Sequence, residues 1–323
     1  MMSGTYRHLF GPVRSRRLGL SLGLDLVPPK VCSFNCPYCQ IGATTSKTLE
    51  RREYVPVDEV LVEFDRWLAA DGRADCVTLA GSGEPTLHSR FGDVLKGVAS
   101  RCGFKRVLLS NGSLFSLPEV RAAAATADIV KGTLSAWDAE SFNAVHHPHR
   151  SLVFSDFVDG LIAMRKAFGG EYWLEVFIVP GRNDSDAQVR KIAELARAIT
   201  PDHIHLNTAV RPSADVTVQA VSHARLAELA ALFTPIAEVA ASGRPADGAS
   251  GGHTVGDLAE RLCALAARHP ATATDMAAAL GVGVHAARSL LDQLVSEDRL
   301  KVDQRDGAIF YASATPAAGS DGR

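Results

Sequence analysis

The chain predicts an α/β protein built from repeated strand-helix units, followed by a small helix-rich unit, and three observations carry that expectation. Six short apolar runs end in turn-forming residues, helical periodicity fills the gaps between them, and the chemically unusual residues collect just after the runs. A strand-helix repeat implies parallel strands covered by helices, arranged as an open doubly wound sheet or as a full or partial barrel.

The first run is "LGLSLGLDLV", where Leu20, Leu22, Leu24 and Leu26 alternate onto one face before Pro28 and Pro29 stop the strand. A cysteine-rich loop follows. Next, "PVDEVLVEFDRWLAA" places Val57, Val60, Leu61, Phe64 and Leu68 at helical spacing with acids in the first turn, and Glu59 and Glu63 read as its solvated face. Further strands are expected at "CVTLAG", "RVLLSNG", "DIVKGTLS", "WLEVFIVPG" and "HIHLNT", with helices over 89–101, 118–126, 138–145, 154–168, 184–199 and 222–239. Ligands of such folds bind beyond the carboxyl ends of the strands. Here those ends carry "VCSFNCPYCQIG", "GSGEPT", "SNGS", "SAWD", "VPGRND" and "NTAVRP", so one rim is chemically loaded.

Composition limits the function classes. With 323 residues, 46% hydrophobic, 22% charged and a net charge of -2, nothing demands a membrane or a polyanionic partner. The amino-terminal segment has no apolar run resembling a secretory signal, and no apolar stretch is long enough to span a bilayer. A cytoplasmic location is expected, and in a reducing compartment six cysteines point to metal or catalysis before disulfides. Cys76, Cys102 and Cys263 stand alone in apolar or helical segments and read as small buried hydrophobes.

Cys32, Cys36 and Cys39 form C-x3-C-x2-C. A structural zinc site wants four Cys or His ligands, and His8 and His88 are not at finger-like spacing. Three thiolates on one short loop can instead hold three corners of an iron-sulfur cube, leaving the fourth iron open to a small molecule.

"CSFNCPYC" resembles the signature of the radical S-adenosylmethionine superfamily, whose three cysteines hold a [4Fe-4S] cluster and whose fourth iron binds S-adenosylmethionine. The resemblance implies a partial (β/α)6 TIM-like barrel. It also implies that Tyr38 packs against the adenine, and that Gly81, Gly83 and Glu84 of "GSGEP" hold the methionine amino group, with Ser82 standing where the family usually has glycine. Ser110, Asn111 and Ser135 match positions of polar contacts to the ribose and carboxylate, and "IVPGRND" matches the adenine-side loop. Reductive cleavage of S-adenosylmethionine to a 5'-deoxyadenosyl radical, hydrogen abstraction from a substrate, and a flavodoxin or ferredoxin electron donor follow from the same resemblance. No second C-x2-C pair follows Cys39, so auxiliary clusters are not expected.

The wider stretch "HLFGPVRSRRLGLSLGLDLVPPKVCSFNCPYCQIG" is similar to a wyosine-synthase-like subgroup of these enzymes, in which "LNTxxRP" comes late and a small winged domain ends the chain. Arg211 of "NTAVRP" is a candidate cofactor or substrate contact, and Arg14, Arg16 and Arg17 could grip a phosphate or carboxylate or form a structural clasp. His146, His147 and His149 read as a loop contact or plain surface.

Residues 1–240 are thus expected to form the barrel, 241–253 a flexible linker, 254–314 a winged helix and 315–323 a disordered tail. In the last unit, helices in "TVGDLAERLCALAARHP", "TATDMAAALGV" and "GVHAARSLLDQLVSEDRL" precede a hairpin turning at Asp306-Gly307. The third helix carries three acids against two arginines and His285, which favours a protein or RNA contact over DNA reading. Two function classes follow. One is a radical enzyme acting on a macromolecule, tRNA or protein; the other is an iron-sulfur or S-adenosylmethionine sensor that binds DNA. The methionine clamp favours the enzyme.

Overall fold

The computed structural model describes residues 6–15, 17–239, 255–268, 270–305 and 307–314. The expected linker at 241–253, the tail at 315–323, Arg16 and Asp306 lie outside the described residues.

Chain order gives β1 (Leu9–Ser15), β2 (Gly19–Leu24), the two-residue strands β3 (Val31–Cys32) and β4 (Ser46–Lys47), α1 (Val57–Ala69), β5 (Cys76–Leu79) and α2 (Phe91–Ala99). Then come β6 (Lys105–Leu109), α3 (Pro118–Ala124), β7 (Ile129–Thr133), α4 (Ala139–His146), α5 (Phe154–Ala167), β8 (Glu171–Ile178), α6 (Asp186–Ile199), β9 (His203–Thr208), α7 (His223–Ala230) and β10 (Glu238–Val239). The large sheet runs β1-β2-β5-β6-β7-β8-β9-β10, with β1 antiparallel to β2 and every other pairing parallel. β1 and β10 stay at its two edges, so the mixed α/β fold is the partial barrel that the resemblance implies.

The six expected strands form the centre of this sheet. Their interiors are mostly apolar on both faces, as parallel strands covered by helices require, with a few polar side chains on β7, β8 and β9; β5, "CVTL", is buried throughout. Helix starts follow local chemistry. Asp138 with Ser141 and Ser185 with Gln188 make capping boxes that open α4 and α6. The main core lies between the sheet and the helices, around Leu22, Phe64, Phe91, Leu108, Leu161, Leu174 and Leu206.

Four expectations change. β1 went unrecognised because Gly11-Pro12 interrupts its alternation, and the pairing with β2 shifts register between Phe10 and Val13. The expected helix 222–239 ends at Ala230; Pro235 follows, and Glu238–Val239 then joins β9 as an edge strand. Glu63 is not on a solvated face: it is 8% exposed and its carboxylate accepts from the backbone N–H groups of Arg7 and His8 at 2.9 Å each, closing the open end of β1. Cys76 is buried as expected, whereas Cys102 and Cys263 are half-buried.

The carboxy-terminal unit contains α8 (Val255–Arg268), β11 (Ala271–Thr272), α9 (Ala273–Leu280), α10 (Val284–Ser296) and the hairpin β12 (Leu300–Arg305) with β13 (Ala308–Ser313). β11 adds to β13, giving the sheet order β11-β13-β12. Gly281 ends α9 at φ 66°, where a side chain would be strained. Leu262, Met276, Leu291, Leu294 and Tyr311 form the unit's own core, and Val13 of β1 packs into it. No described helix is long and apolar enough to cross a membrane.

Candidate functional site

β2 ends at Leu24, and the chain turns through Pro28 and Pro29 into Lys30, whose φ of 67° is left-handed. From there Cys39 N–H donates to Cys36 carbonyl (3.1 Å) and Gly42 N–H to Cys39 carbonyl (3.2 Å), coiling the loop tightly around its three thiols. Each sulfur has one nitrogen neighbour from a different source: Asn111 Nδ2 for Cys32 and Lys30 Nζ for Cys39, both at 3.6 Å, and His146 Nδ1 for Cys36 at 3.7 Å. Lys30, 7% exposed, also donates to the Gly42 carbonyl.

Burial, with Glu84 nearby, pushes the Cys32 thiol up to about 12. Burial and the like charges of Cys39 and Cys32 push Cys36 well above the ordinary thiol range. Three thiolates held this close need a compensating cation, and Lys30 supplies one charge where three are required. An iron cluster supplies the rest, so the donor set fits that group.

The segment "GSGEP" lies beside this loop. Lys30 N–H donates to Ser82 carbonyl (2.6 Å) and Glu84 N–H to Val31 carbonyl (3.0 Å). Gly81 has φ 116°, and a Cβ there would collide with Asp25 Oδ1; a Cβ on Gly83 would collide with the Val31 carbonyl. Ser82 has no such constraint. Its backbone is not in the left-handed region, and its N–H donates to Asp25 Oδ1 (2.9 Å).

Glu84 is 2% exposed and its carboxylate joins two loops. Oε1 accepts from Thr86 N–H (3.0 Å), Thr86 Oγ1 (2.6 Å) and Ser110 Oγ (2.7 Å), while Oε2 accepts from Asn111 N–H (2.7 Å). Burial raises its carboxyl above the usual range, and these donors offset part of that rise. Asn111 Nδ2 also donates to Ser33 Oγ (2.9 Å).

Tyr38 stacks on Phe177 with ring centroids 4.1 Å apart, among Val145, Val179, Ala209 and Val218. Its hydroxyl meets His146 Nδ1 at 2.8 Å. His146 is therefore neither surface nor loop contact: it ends α4, is 0% exposed, and burial holds its imidazole down to about 3, neutral. Ser135 sits deeper than a rim contact, its hydroxyl accepting from Phe177 N–H (2.8 Å) and its carbonyl from Asn183 Nδ2 (2.8 Å). Asn183 of "VPGRND" staples its own loop, because Oδ1 accepts from Val179 N–H (2.7 Å).

Arg211 lies 3.9 Å from Asp275 of the carboxy-terminal unit, beside a cavity of about 200 Å³ lined by Val210, Gln219, Arg305 and Phe310. Its loop still touches the site, since Ala214 N–H donates to Cys39 carbonyl (2.8 Å) and Asp215 N–H to Pro37 carbonyl (2.9 Å).

Sequence reasoning missed the polar group inside the barrel. Lys131 Nζ lies 2.9 Å from Glu175 Oε1, which also accepts from Asn207 Nδ2 (2.5 Å). Burial raises the Glu175 carboxyl, but Lys131, Arg17 and Asn207 outweigh it and hold it low. Single polar residues inside apolar strands gave the only signal. Arg17 thus acts on the barrel interior, whereas Arg14 is exposed. His203, His205 and Glu238 gather at the opposite end of β9, their ligand-type atoms within 4.8 Å of one another. A larger cleft of about 640 Å³ also lies at that far end, spanned by the Arg106-Asp128 and Arg165-Asp202 ion pairs and lined in part by Cys102, and it contains none of the cysteine-loop or "GSGEP" residues.

Comparisons with known proteins agree with this geometry. The family described as the Radical SAM superfamily matches residues 26–196, which hold the cysteine loop, "GSGEP", "SNGS" and "VPGRND". A UPF0026 protein of Helicobacter pylori (strain J99) is 35% identical over 64% of this chain and 67% of its own length. A Brachyspira hyodysenteriae protein named GTPase Obg is 30% identical over 95% of this chain, which spans only 45% of that protein. No Gly-Lys pair occurs in this sequence, so it carries no Walker A loop. A radical SAM methyltransferase from Sphaerobacter thermophilus shares the fold at 16% identity and a TM-score of 0.52, covering 68% of this chain and 66% of that one. The chain belongs to the radical SAM superfamily, with a [4Fe-4S] cluster and S-adenosylmethionine as its cofactors.

Proposed function

We propose that this protein is a radical enzyme acting on a macromolecular substrate, with Cys32, Cys36 and Cys39 as the cluster ligands. The cluster and S-adenosylmethionine together supply the radical that abstracts hydrogen. The chain's own residues hold and shield them. Gly81, Gly83 and Glu84 bind the methionine amino group, to which Glu84 Oε2 offers its remaining acceptor capacity. Asn111 orients Glu84 and Cys32 together. Tyr38, backed by the packed apolar cluster of Val145, Val179 and Ala209, offers the apolar surface against which the adenine packs. Ser110 and Ser135 brace these loops from within the barrel, and Arg211 faces the substrate side.

The observation carrying the macromolecular reading is the position of the carboxy-terminal unit. It packs on β1 and faces the 209–221 loop, which is bonded directly to the cysteine loop. Val210 and Val216 stand 54% and 71% exposed on that loop, a surface suited to a large partner. We read residues 254–314 as a winged helix that presents the substrate, joined to the barrel (1–240) through 241–253, and a flavodoxin or ferredoxin as electron donor.

The test is to incubate reduced, cluster-loaded protein and S-adenosylmethionine with total RNA, and separately with soluble protein, from a strain lacking the gene. Mass spectrometry of nucleosides and of tryptic peptides should find one modified species in one arm. Modification of neither, with 5'-deoxyadenosine formed only when small metabolites are added, would overturn the macromolecular reading.

A further inference from the structure

The last residue of α8, Arg268, reaches out of the carboxy-terminal unit and grips Asp25, the residue just after β2. Its Nε and Nη2 lie 2.9 and 2.7 Å from Asp25 Oδ2, and both side chains are largely buried, at 14% and 12% exposed. Nη1 donates to the Ala264 carbonyl of its own helix (2.9 Å), and the guanidinium lies 4.2 Å over the Phe10 ring, so its direction is fixed from both sides. Asp25 does not stop there. Its other oxygen accepts from Ser82 N–H at 2.9 Å, and this oxygen fills the space that a Cβ on Gly81 would need.

We infer that Arg268 is a positioning residue for the cofactor: through Asp25 it sets the "GSGEP" backbone, so the carboxy-terminal unit completes the methionine-binding site. The inference rests on the reading that this segment holds S-adenosylmethionine. Physically, the hydrogen bond from Ser82 N–H needs Asp25 Oδ1 aimed at it, and Arg268, bound to Oδ2 through Nε and Nη2, holds the carboxylate in that orientation. Without it the carboxylate can turn toward water, and the Gly81–Ser82 peptide loses the acceptor that fixes its plane. A partner that moves the carboxy-terminal unit therefore changes cofactor affinity without touching the barrel.

The experiment compares full-length wild type, Arg268→Ala, Arg268→Lys and Arg299→Ala. The last breaks the Arg299-Glu260 ion pair (2.7 Å) inside the same unit and serves as the control for general loosening. In cluster-free protein, hydrogen exchange of the Ser82 amide should speed up in Arg268→Ala, by about tenfold, and not in Arg299→Ala. In cluster-loaded protein, the S-adenosylmethionine concentration that half-saturates the change in the reduced cluster's EPR signal should rise about tenfold in Arg268→Ala with iron content unchanged. Arg268→Lys should recover part of both effects. If wild type responds to S-adenosylmethionine and Arg268→Ala matches it in both readouts, the inference fails while the cofactor reading stands. If the wild-type signal does not respond, both fall.

Discussion

Asn111 joins Glu84 to Cys32: its backbone N–H donates to Glu84 Oε2 at 2.7 Å while its side-chain Nδ2 lies 3.6 Å from the Cys32 sulfur. One residue after β6 thus ties the carboxylate after β5 to the thiol loop after β2. Glu84→Ala leaves four buried donors without their acceptor, so the apoprotein should lose about 3 kcal/mol of stability in urea titration. The same variant should bind S-adenosylmethionine weakly even when fully loaded with iron.

The cysteines divide into two sets. Cys32→Ser, Cys36→Ser and Cys39→Ser should each lose most of the iron after anaerobic reconstitution, measured as iron per chain. Cys102→Ser and Cys263→Ser should keep it, because both are half-buried packing residues apart from the loop.

Lys30 places its ammonium 3.6 Å from the Cys39 sulfur. A reduced cluster carries one more negative charge than an oxidised one, so this cation favours reduction. Lys30→Met should keep its iron but show a more negative reduction potential in an EPR-monitored redox titration. An unchanged potential would mean that the ammonium does not act on the cluster.

Tyr38→Phe removes the partner that His146 Nδ1 has besides the Cys36 sulfur among the described residues, in a ring whose Nε2 has none among them. The cost should be about 1–3 kcal/mol in the apoprotein, read as a lowered thermal midpoint. Stacking on Phe177 should persist, keeping the apolar cluster around it in place.

His205 sets a pH dependence. Burial, with Arg17 and Lys131, lowers its folded-state value to about 4 against an ordinary 6.5. Its contribution to stability is full above about pH 6.5 and is lost as the pH falls toward 4, because the unfolded chain takes up a proton that the folded one refuses. The slope from this one proton is about 1.4 kcal/mol per pH unit, and His205→Gln should remove it from urea titrations between pH 6.5 and 4.

Much of this was legible in the residues. Apolar runs located the six central strands, and turn-forming strand ends located the loops that meet at the cysteines. What escaped was set by tertiary contact. Glu63 occupies a helical position that looks solvated until β1 brings the Arg7 and His8 amides to it. β1 itself hides behind Gly11-Pro12, and β10 behind an apparent helix that in fact stops at Ala230, ahead of Pro235. His146 looked like surface because two other histidines follow closely, yet the left-handed turn at His147 ends α4 with His146 facing inward. Arg268 could not be found at all, since 243 residues separate it from Asp25.

The most direct test of the central claim is the fate of S-adenosylmethionine in the anaerobically reconstituted, dithionite-reduced protein, followed by liquid chromatography. Wild type should convert it to 5'-deoxyadenosine and methionine, and Cys36→Ala should not. Wild type with about four irons per chain that leaves S-adenosylmethionine intact would contradict the account.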